Sequence, residues 1–459
     1  MADAGVLTVL KEWYSDKPLE PVLWRASPVL RDMAKNRVGG KSYNFVANYG
    51  VGGGAAGDAT AAASQAAAGT SKSVQFAVTH GQLFSIFAVS AKEIYESEMV
   101  RGAFLPIPVI KFYDGTAAFR RLFATALYGM GYGEVGNAVV ATTSVGSQTV
   151  DFADKYLVLK LDIGSVFRVT NGATPGSALR TSVNTVTAID GTKVTFTATA
   201  IETWAATDWV VNEGCRTSGG LPLLPVGLTA WLPTIADRTG STWTSYIGTS
   251  FYGVDRSVFP QRLAGQYIKR NVGANEKYVD TIVRAVEEVR NAGGDPKWLI
   301  VNPTDYRTII GEVNAQTTYF QQTDMGKAKG KSSEFVRGLS DMKYMFGTSW
   351  VDKVYDDPFC PRFTAYIIDE ETIEFVMLSN GNTPVQDGIS SNNPGIQPVN
   401  GVSTPDMKGN TYSFIFDDYV TIQPATLASD GPAVQVILQL FGNFALRAPG
   451  RNAVVSFVS

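Results

Sequence analysis

A block of small residues, Gly50–Ser73, is rich in Gly, Ala and Ser and has no aromatic residue. It lies between two alternating apolar runs: Tyr43, Phe45, Ala47 and Tyr49 before it, and Val74, Phe76 and Val78 after it. Alternation with period two marks each run as a strand with one buried face, so residues 41–90 read as a long hairpin with a flexible tip. A lone two-stranded ribbon is marginal in water. A ribbon that projects from a body must therefore be held down by another surface, and this requirement limits the folds open to the chain. Gly52–Gly57 superficially resembles a phosphate loop, but neither a lysine nor a clear helix follows it.

The rest of the chain divides by pattern. Residues 1–40 read as an arm. Val6, Leu7, Leu10, Trp13 and Tyr14 line one side of a short helix, and Pro18, Pro21 and Pro28 prevent a longer one. Val22, Leu23, Trp24, Val29 and Leu30 remain to be buried, on this chain or on a neighbour. In residues 91–134, Pro106 and Pro108 interrupt the pattern. Ala117, Ala118, Leu122, Ala126 and Leu127 then predict a helix from Tyr113 to Gly129, capped by Asp114 or Thr116. Residues 135–213 turn to Thr, Val and Gly, with turn signals at Asn171-Gly172 and Asp190-Gly191, and predict an inserted all-β barrel.

An apolar, proline-punctuated link follows in residues 214–270. Residues 276–291 form the clearest helix, with Asn275 as its cap and Tyr278, Ile282, Val286 and Val289 facing inward. Trp298–Val301 reads as a buried strand, and Asn302-Pro303 opens another helix. Lys327, Lys329 and Lys331 make a basic loop; its Gly330-Lys331-Ser332 lacks a P-loop's earlier glycine, because Met325 stands there. Ala365–Ile368 and Thr372–Leu378 flank an acidic turn, Gly381–Gly409 is a long polar loop, and Tyr412–Ile422 and Val434–Leu446 are long strands. The order predicts an α+β body with appendages.

Composition removes several functional classes. With 45% hydrophobic and 18% charged residues, this is a folding chain. Its net charge of -3, without a basic stripe, predicts no tight electrostatic binding to nucleic acid. The N-terminus lacks a signal-peptide pattern, since Asp3, Lys11, Glu12 and Asp16 break any apolar run. No stretch approaches the ~18 apolar residues of a membrane helix. Synthesis and assembly in the cytosol, without a membrane, is the expectation. Cys215 and Cys360 give no disulfide framework and read as reduced thiols. His80 is the sole histidine, so one chain can build neither a histidine metal cluster nor a serine triad. The pairs Asp356-Asp357 and Asp369–Glu371 read as solvated turn residues. Asp417-Asp418, adjacent on a strand, point to opposite faces. No catalytic residue, cofactor or metal site is expected.

Several blocks in order resemble the major capsid proteins of tailed bacteriophages with the Hong Kong 97-type fold. They are Gly39-Gly40-Lys41 leading into Tyr43–Tyr49, Phe119–Gly129, Gly227–Pro233, Phe251–Val258, Trp298–Tyr306 and Arg447–Val455. The resemblance implies an N-terminal arm (1–40), an extended loop (41–90), and a spine helix with peripheral domain (91–134). It further implies the β insertion (135–213), a peripheral return (214–270), an axial domain (271–425) and C-terminal strands (426–459). The implied function is a virion shell subunit with no enzymatic activity, assembling with itself as pentamers and hexamers around dsDNA. A portal, a separate scaffold protein and an optional cement protein are its implied partners. Candidate interface residues are Trp13, Trp24, Tyr43, Phe45, Tyr49 and Phe76, with Lys327, Lys329 and Lys331 near the capsomer centre. Two alternatives stand beside this reading: an encapsulin-like compartment of the same fold, and a β-rich carbohydrate-binding or hydrolytic virion protein. The eight tryptophans that suggest the latter are scattered along the chain as core residues would be.

Overall fold

The computed structural model describes residues 27–50, 53–68, 72–90, 107–152, 154–172, 174–217, 219–234, 247–248, 250–324, 344–346, 349–378, 421–427 and 433–458. Trp13, Trp24, Lys327, Lys329, Lys331 and the Asp417-Asp418 pair lie outside them.

Two five-stranded sheets organise the body. In the first, Trp298–Val301 runs parallel to Lys353–Asp356 and antiparallel to Thr364–Ile368. Ala453–Ser456 and Gln266–Lys269 complete it. Both faces of this sheet are dry. Trp298, Ile300, Tyr366, Ile368 and Val454 point into one core, while Leu299, Val301, Ala365, Ile367, Ala453 and Val455 point into another. Burial on both sides explains why these strands read as unbroken apolar runs. Helix Tyr278–Asn291 covers the second core with Tyr278, Ile282, Ala285, Val286 and Val289.

The predicted cap of that helix is displaced. Asn275 has a left-handed backbone and ends the short 3-10 turn Val272–Ala274. The open N–H groups of Tyr278 and Val279 instead donate to Glu312, at 3.2 and 3.0 Å, from the following helix Pro303–Asp324. A carboxylate supplied by tertiary contact thus does the work of a local cap. At the start of Pro303–Asp324, Asn302 does cap locally, accepting from the N–H of Thr304 at 3.1 Å.

The second sheet is built on the long strand Ala433–Leu446, which pairs with Gly81–Ser90, Thr421–Leu427 and Ile373–Leu378; Ala34–Val38 adds in parallel at the edge. Helix Ile107–Leu127 packs on one side of it, with Phe123 5.2 Å from Phe375 and 5.6 Å from Phe444. The helix begins at Ile107, not at Tyr113. Pro108 falls in its first turn, where its missing N–H costs no bond. Sheet membership also departs from the expected segments: Gly81–Ser90 pairs here rather than in the hairpin, and Ile373–Leu378 and Thr421–Leu427 lie away from helix Tyr278–Asn291. Thr364–Ile368 and Ile373–Leu378 enter different sheets, so the acidic turn between them is a crossover and not a hairpin. There Asp369 is buried and holds the N–H of Glu371.

The β insertion forms its own six-stranded sheet, Glu134–Asn137, Trp209–Asn212, Val166–Val169, Asn184–Asp190, Lys193–Ala198 and Gly146–Asp151 in spatial order. A short ribbon, Ala141–Thr143 with Glu202–Trp204, joins it. Its core of Phe167, Val169, Val186, Val194, Phe196, Trp204 and Val210 is separate from those of the body. The tight turn falls at Gly191, with Asp190 opposite Lys193. No ladder joins the outer strands Glu134–Asn137 and Gly146–Asp151 among the described residues, so the ladders give an open sheet rather than a closed barrel.

Replacing Glu312 by Ala should lower stability by about 1 kcal/mol, as loss of an N-cap does. Urea unfolding of the subunit checks this; an unchanged midpoint would show that the helix start needs no tertiary cap.

Candidate assembly surfaces

The hairpin forms with Ser42–Gly50 against Lys72–Thr79 and places Phe45 opposite Phe76. Both rings turn toward Trp231, at 6.2 and 5.5 Å, and Trp231 donates its indole N–H to the Phe444 carbonyl at 3.0 Å. Phe76 is wholly buried by this chain's own residues, so it has no surface left for a neighbour; its interface role is corrected on that ground. Tyr43, Phe45 and Tyr49 are half-buried against the same core. Tyr43 lies beside Arg447, whose guanidinium makes two 2.6 Å bonds to Glu374. Burial, then the Glu374 carboxylate, raises the Tyr43 phenol above its ordinary range.

The free parts of the hairpin are its outer face, where Val46 is 63% exposed, and its tip. The tip is not the featureless linker expected from composition: it carries the helix Ala59–Ala68. Asp58 opens that helix by accepting from the N–H of Ala61 at 3.0 Å. Gly54 packs so closely that a Cβ there would strike the Ala62 carbonyl. Nearly every side chain described in this helix is exposed. A ten-residue helix with so little burial falls below the ~12–15 residues at which even alanine-rich helices become marginal in water.

A second surface went unnoticed in the sequence. On Gly81–Ser90, Leu83 is buried and Ser85 donates to the Gly115 carbonyl of the long helix at 3.0 Å. On the opposite face Phe84 and Ile86 are exposed, and Phe84 meets Phe441 edge-on at 5.6 Å. The signal was available: Leu83, Phe84, Ile86 and Phe87 put apolar residues on both faces of one strand.

The root of the arm is held by buried polar contacts. Asp357, expected in a solvated turn, is fully buried. It accepts from the Ser27 hydroxyl, from the Tyr128 hydroxyl at 2.8 Å and from the N–H of Phe359 at 2.9 Å. Five residues beyond Ser27, Asp32 accepts from the Tyr355 hydroxyl at 2.7 Å and pairs with Lys353 at 3.4 Å. Burial pushes the Asp357 carboxyl above the ordinary carboxylate range, against its hydrogen bonds. Burial, then the adjacent Asp357, pushes the Tyr128 phenol well up. Cys360 nearby is raised by burial too, and Cys215, in the link, is pushed up to about 12, so neither thiol is poised as a nucleophile. His80 lies 3.2 Å from the Gly40 carbonyl, tying the two ends of the hairpin base. Among the described residues no group of three or more His, Cys, Asp or Glu could hold a metal ion, and no helix is long and apolar enough to cross a membrane.

The Asp357 pair has a pH signature. Its native carboxyl titrates above the unfolded value of about 3.9, so the native state takes up this proton first. Between those two values acid relieves the cost of burying the charge, and that relief is lost as pH rises through the native value. Tyr128→Phe should cost about 1.5–3 kcal/mol at a pH above the native Asp357 value, where the hydroxyl serves a charged acceptor, and less at a pH below it, where Asp357 is protonated. Urea unfolding at the two pH values tests this, and an equal loss at both would refute it.

No protein-family model matches the sequence, and no curated protein does. Among solved structures, a chain of the cyanophage A-1(L) capsid asymmetric unit is similar over 98% of both chains, at 14% identity and a TM-score of 0.51. The capsid of a native GTA particle is similar over 100% of both chains at 9% identity and a TM-score of 0.44. An encapsulin complex from Synechococcus elongatus PCC 7942 covers 99% of this chain and 95% of its own, at 7% identity and 0.41. Scores of that size do not by themselves establish a shared fold; the cyanophage likeness does. The chain has the fold of a phage capsid protein.

Proposed function

We propose that this chain is the major capsid protein of a tailed phage, closing into an icosahedral head around dsDNA. The observation that carries the reading is the cyanophage capsid likeness, which runs through 98% of both chains rather than through one domain. The projecting hairpin supports it. Its base is fastened inside the subunit, while its tip helix is too short and too exposed to stand alone, which is what a segment completed by a neighbouring copy requires.

In this reading residues 1–40 are the arm, and 41–90 begin with the extended loop. Residues 91–134 and 214–270 belong to the peripheral domain, 135–213 to the inserted β module, 271–425 to the axial domain and 426–459 to the closing strands. Pentamers and hexamers form from identical copies, since a head-to-tail contact closes into rings whose size is set by a small change of angle. The parts of Tyr43, Phe45 and Tyr49 that the subunit's own core leaves uncovered are candidates for contact with such a neighbour, with Trp13 and Trp24 on the arm. Lys327, Lys329 and Lys331 stand near the ring centre, where like charges from several copies need hydration or anions. A portal, a separate scaffold protein and an optional cement protein complete the particle, and contact with the packaged DNA is non-specific.

Deleting the small-residue tip tests the reading. The variant should stay folded, with a subunit melting temperature close to wild type, yet form no closed shells by electron microscopy. Normal shells would overturn the role of the tip. Wild-type protein that forms only monomers or small oligomers, with any scaffold supplied, would overturn the capsid reading itself. Shells filled with host protein instead of DNA would point to a cellular compartment.

A further inference from the structure

Among the buried polar side chains of the β insertion, three border its apolar core. Asn184 and Trp204 are essentially inaccessible and Glu202 is 8% exposed. Each has an atom buried without a hydrogen-bond partner: the side-chain nitrogen of Asn184, the indole Nε1 of Trp204 and Oε2 of Glu202.

Their other contacts draw them into one corner. Glu202 Oε1 accepts from the backbone N–H of Ser182 at 2.6 Å and from the Thr181 hydroxyl at 3.2 Å. The Ser182 hydroxyl donates to Asn184 Oδ1 at 3.1 Å and accepts from the N–H of Ala200 at 3.2 Å. In this arrangement the Asn184 amide oxygen faces Ser182 and its nitrogen is the open end. Phe167 is the ladder neighbour of Asn184 and lies 6.2 Å from the Trp204 ring. Trp204 also stacks on Phe196 at 5.5 Å, two residues before Ala198, which stands opposite Asn184.

Roughly 90% or more of buried polar groups in native proteins are paired, so three orphans in one corner point to something between them. Two of the orphans are N–H donors, and the third is a carboxylate oxygen that only accepts. A metal cation or an ammonium cannot accept the two N–H groups. An anion cannot donate to the carboxylate. A group with both lone pairs and a proton is required, and water is the smallest. Three bonds is also the usual number for a buried water. We infer that one internal water, bound by Asn184, Glu202 and Trp204, is an integral part of the β insertion and ties its short ribbon to strand Asn184–Asp190.

A reconstruction of the assembled particle or a crystal structure of the full chain, at about 2 Å or better, tests this directly. Expected is one compact density within hydrogen-bond distance of all three atoms. No density there, separate densities, or side chains that pair directly with one another would overturn it. Ultraviolet resonance Raman spectra give a second measurement. The difference between wild type and Trp204→Phe isolates the Trp204 indole, which should show a hydrogen-bonded N–H although no described protein acceptor is within hydrogen-bond distance of it. A free N–H frequency refutes the inference. Should Trp204→Phe fail to fold, the wild-type density decides alone.

Discussion

The sheet containing Trp298–Val301 is dry on both faces, and the body depends on that. Because strand side chains alternate, one strand feeds two cores: Trp298 and Ile300 into one, Leu299 and Val301 into the other. The first core reaches the hairpin, the long helix and the second sheet; the second holds helix Tyr278–Asn291. A one-residue slip in this strand would exchange the two sets and misfit both cores at once. The register is therefore strongly specified, and appendages can be added at the margins without disturbing it.

Trp231 is the point at which those margins join. Its ring meets Phe45 and Phe76 of the hairpin and packs edge-on against Phe251 at 4.9 Å, while its N–H reaches Phe444. Arg256, fully buried, stacks over Phe251 at 3.9 Å and donates to the carbonyls of Ala230 and Trp231 at 2.8 and 3.0 Å. Its charge sits at the C-terminal end of the short helix Leu228–Trp231, where the carbonyl dipoles favour it. Asn443 fastens the same region, accepting from the N–H of Val226 and donating to the Thr79 carbonyl and the Tyr252 hydroxyl, each at 2.7 Å. The blocks that resemble capsid proteins, Gly227–Pro233, Phe251–Val258 and Arg447–Val455, thus pack around or beside the base of the hairpin. They build a rigid root, while the tip keeps its surface exposed.

The buried carboxylates serve structure in the same way. Asp357 gathers hydroxyls at the arm root. Glu312 caps a helix it does not belong to. Asp305 accepts from the N–H of Phe363, at 2.6 Å, where the backbone is left-handed. Glu134 accepts from the N–H groups of Met130 and Tyr132 in the turn after the long helix. Each satisfies donors that a loop or helix end leaves open inside the protein, where an unpaired group is costly.

Periodicity in the sequence was enough to mark the hairpin, the inward face of helix Tyr278–Asn291, the strand Trp298–Val301 and the separate β insertion, because apolar spacing is a local record of which face must leave water. It could not show that Thr364–Ile368 and Ile373–Leu378 part into different sheets, since the four residues Asp369–Thr372 between them look alike whether a chain folds back or crosses over. Nor could it tell that the turn residues Asp357 and Asp369 are buried while Asp356, next to one of them, is exposed. Composition suggested a loose hairpin tip, but Asp58 and the close fit of Gly54 make a helix there. The exchange of Asn275 for Glu312 as a cap shows the same limit: 37 positions separate the two residues. Local pattern determined which segments become strands and helices and which faces are apolar. Partners distant in sequence, brought together only by the packed fold, decided which polar groups are buried and which apolar surfaces remain open.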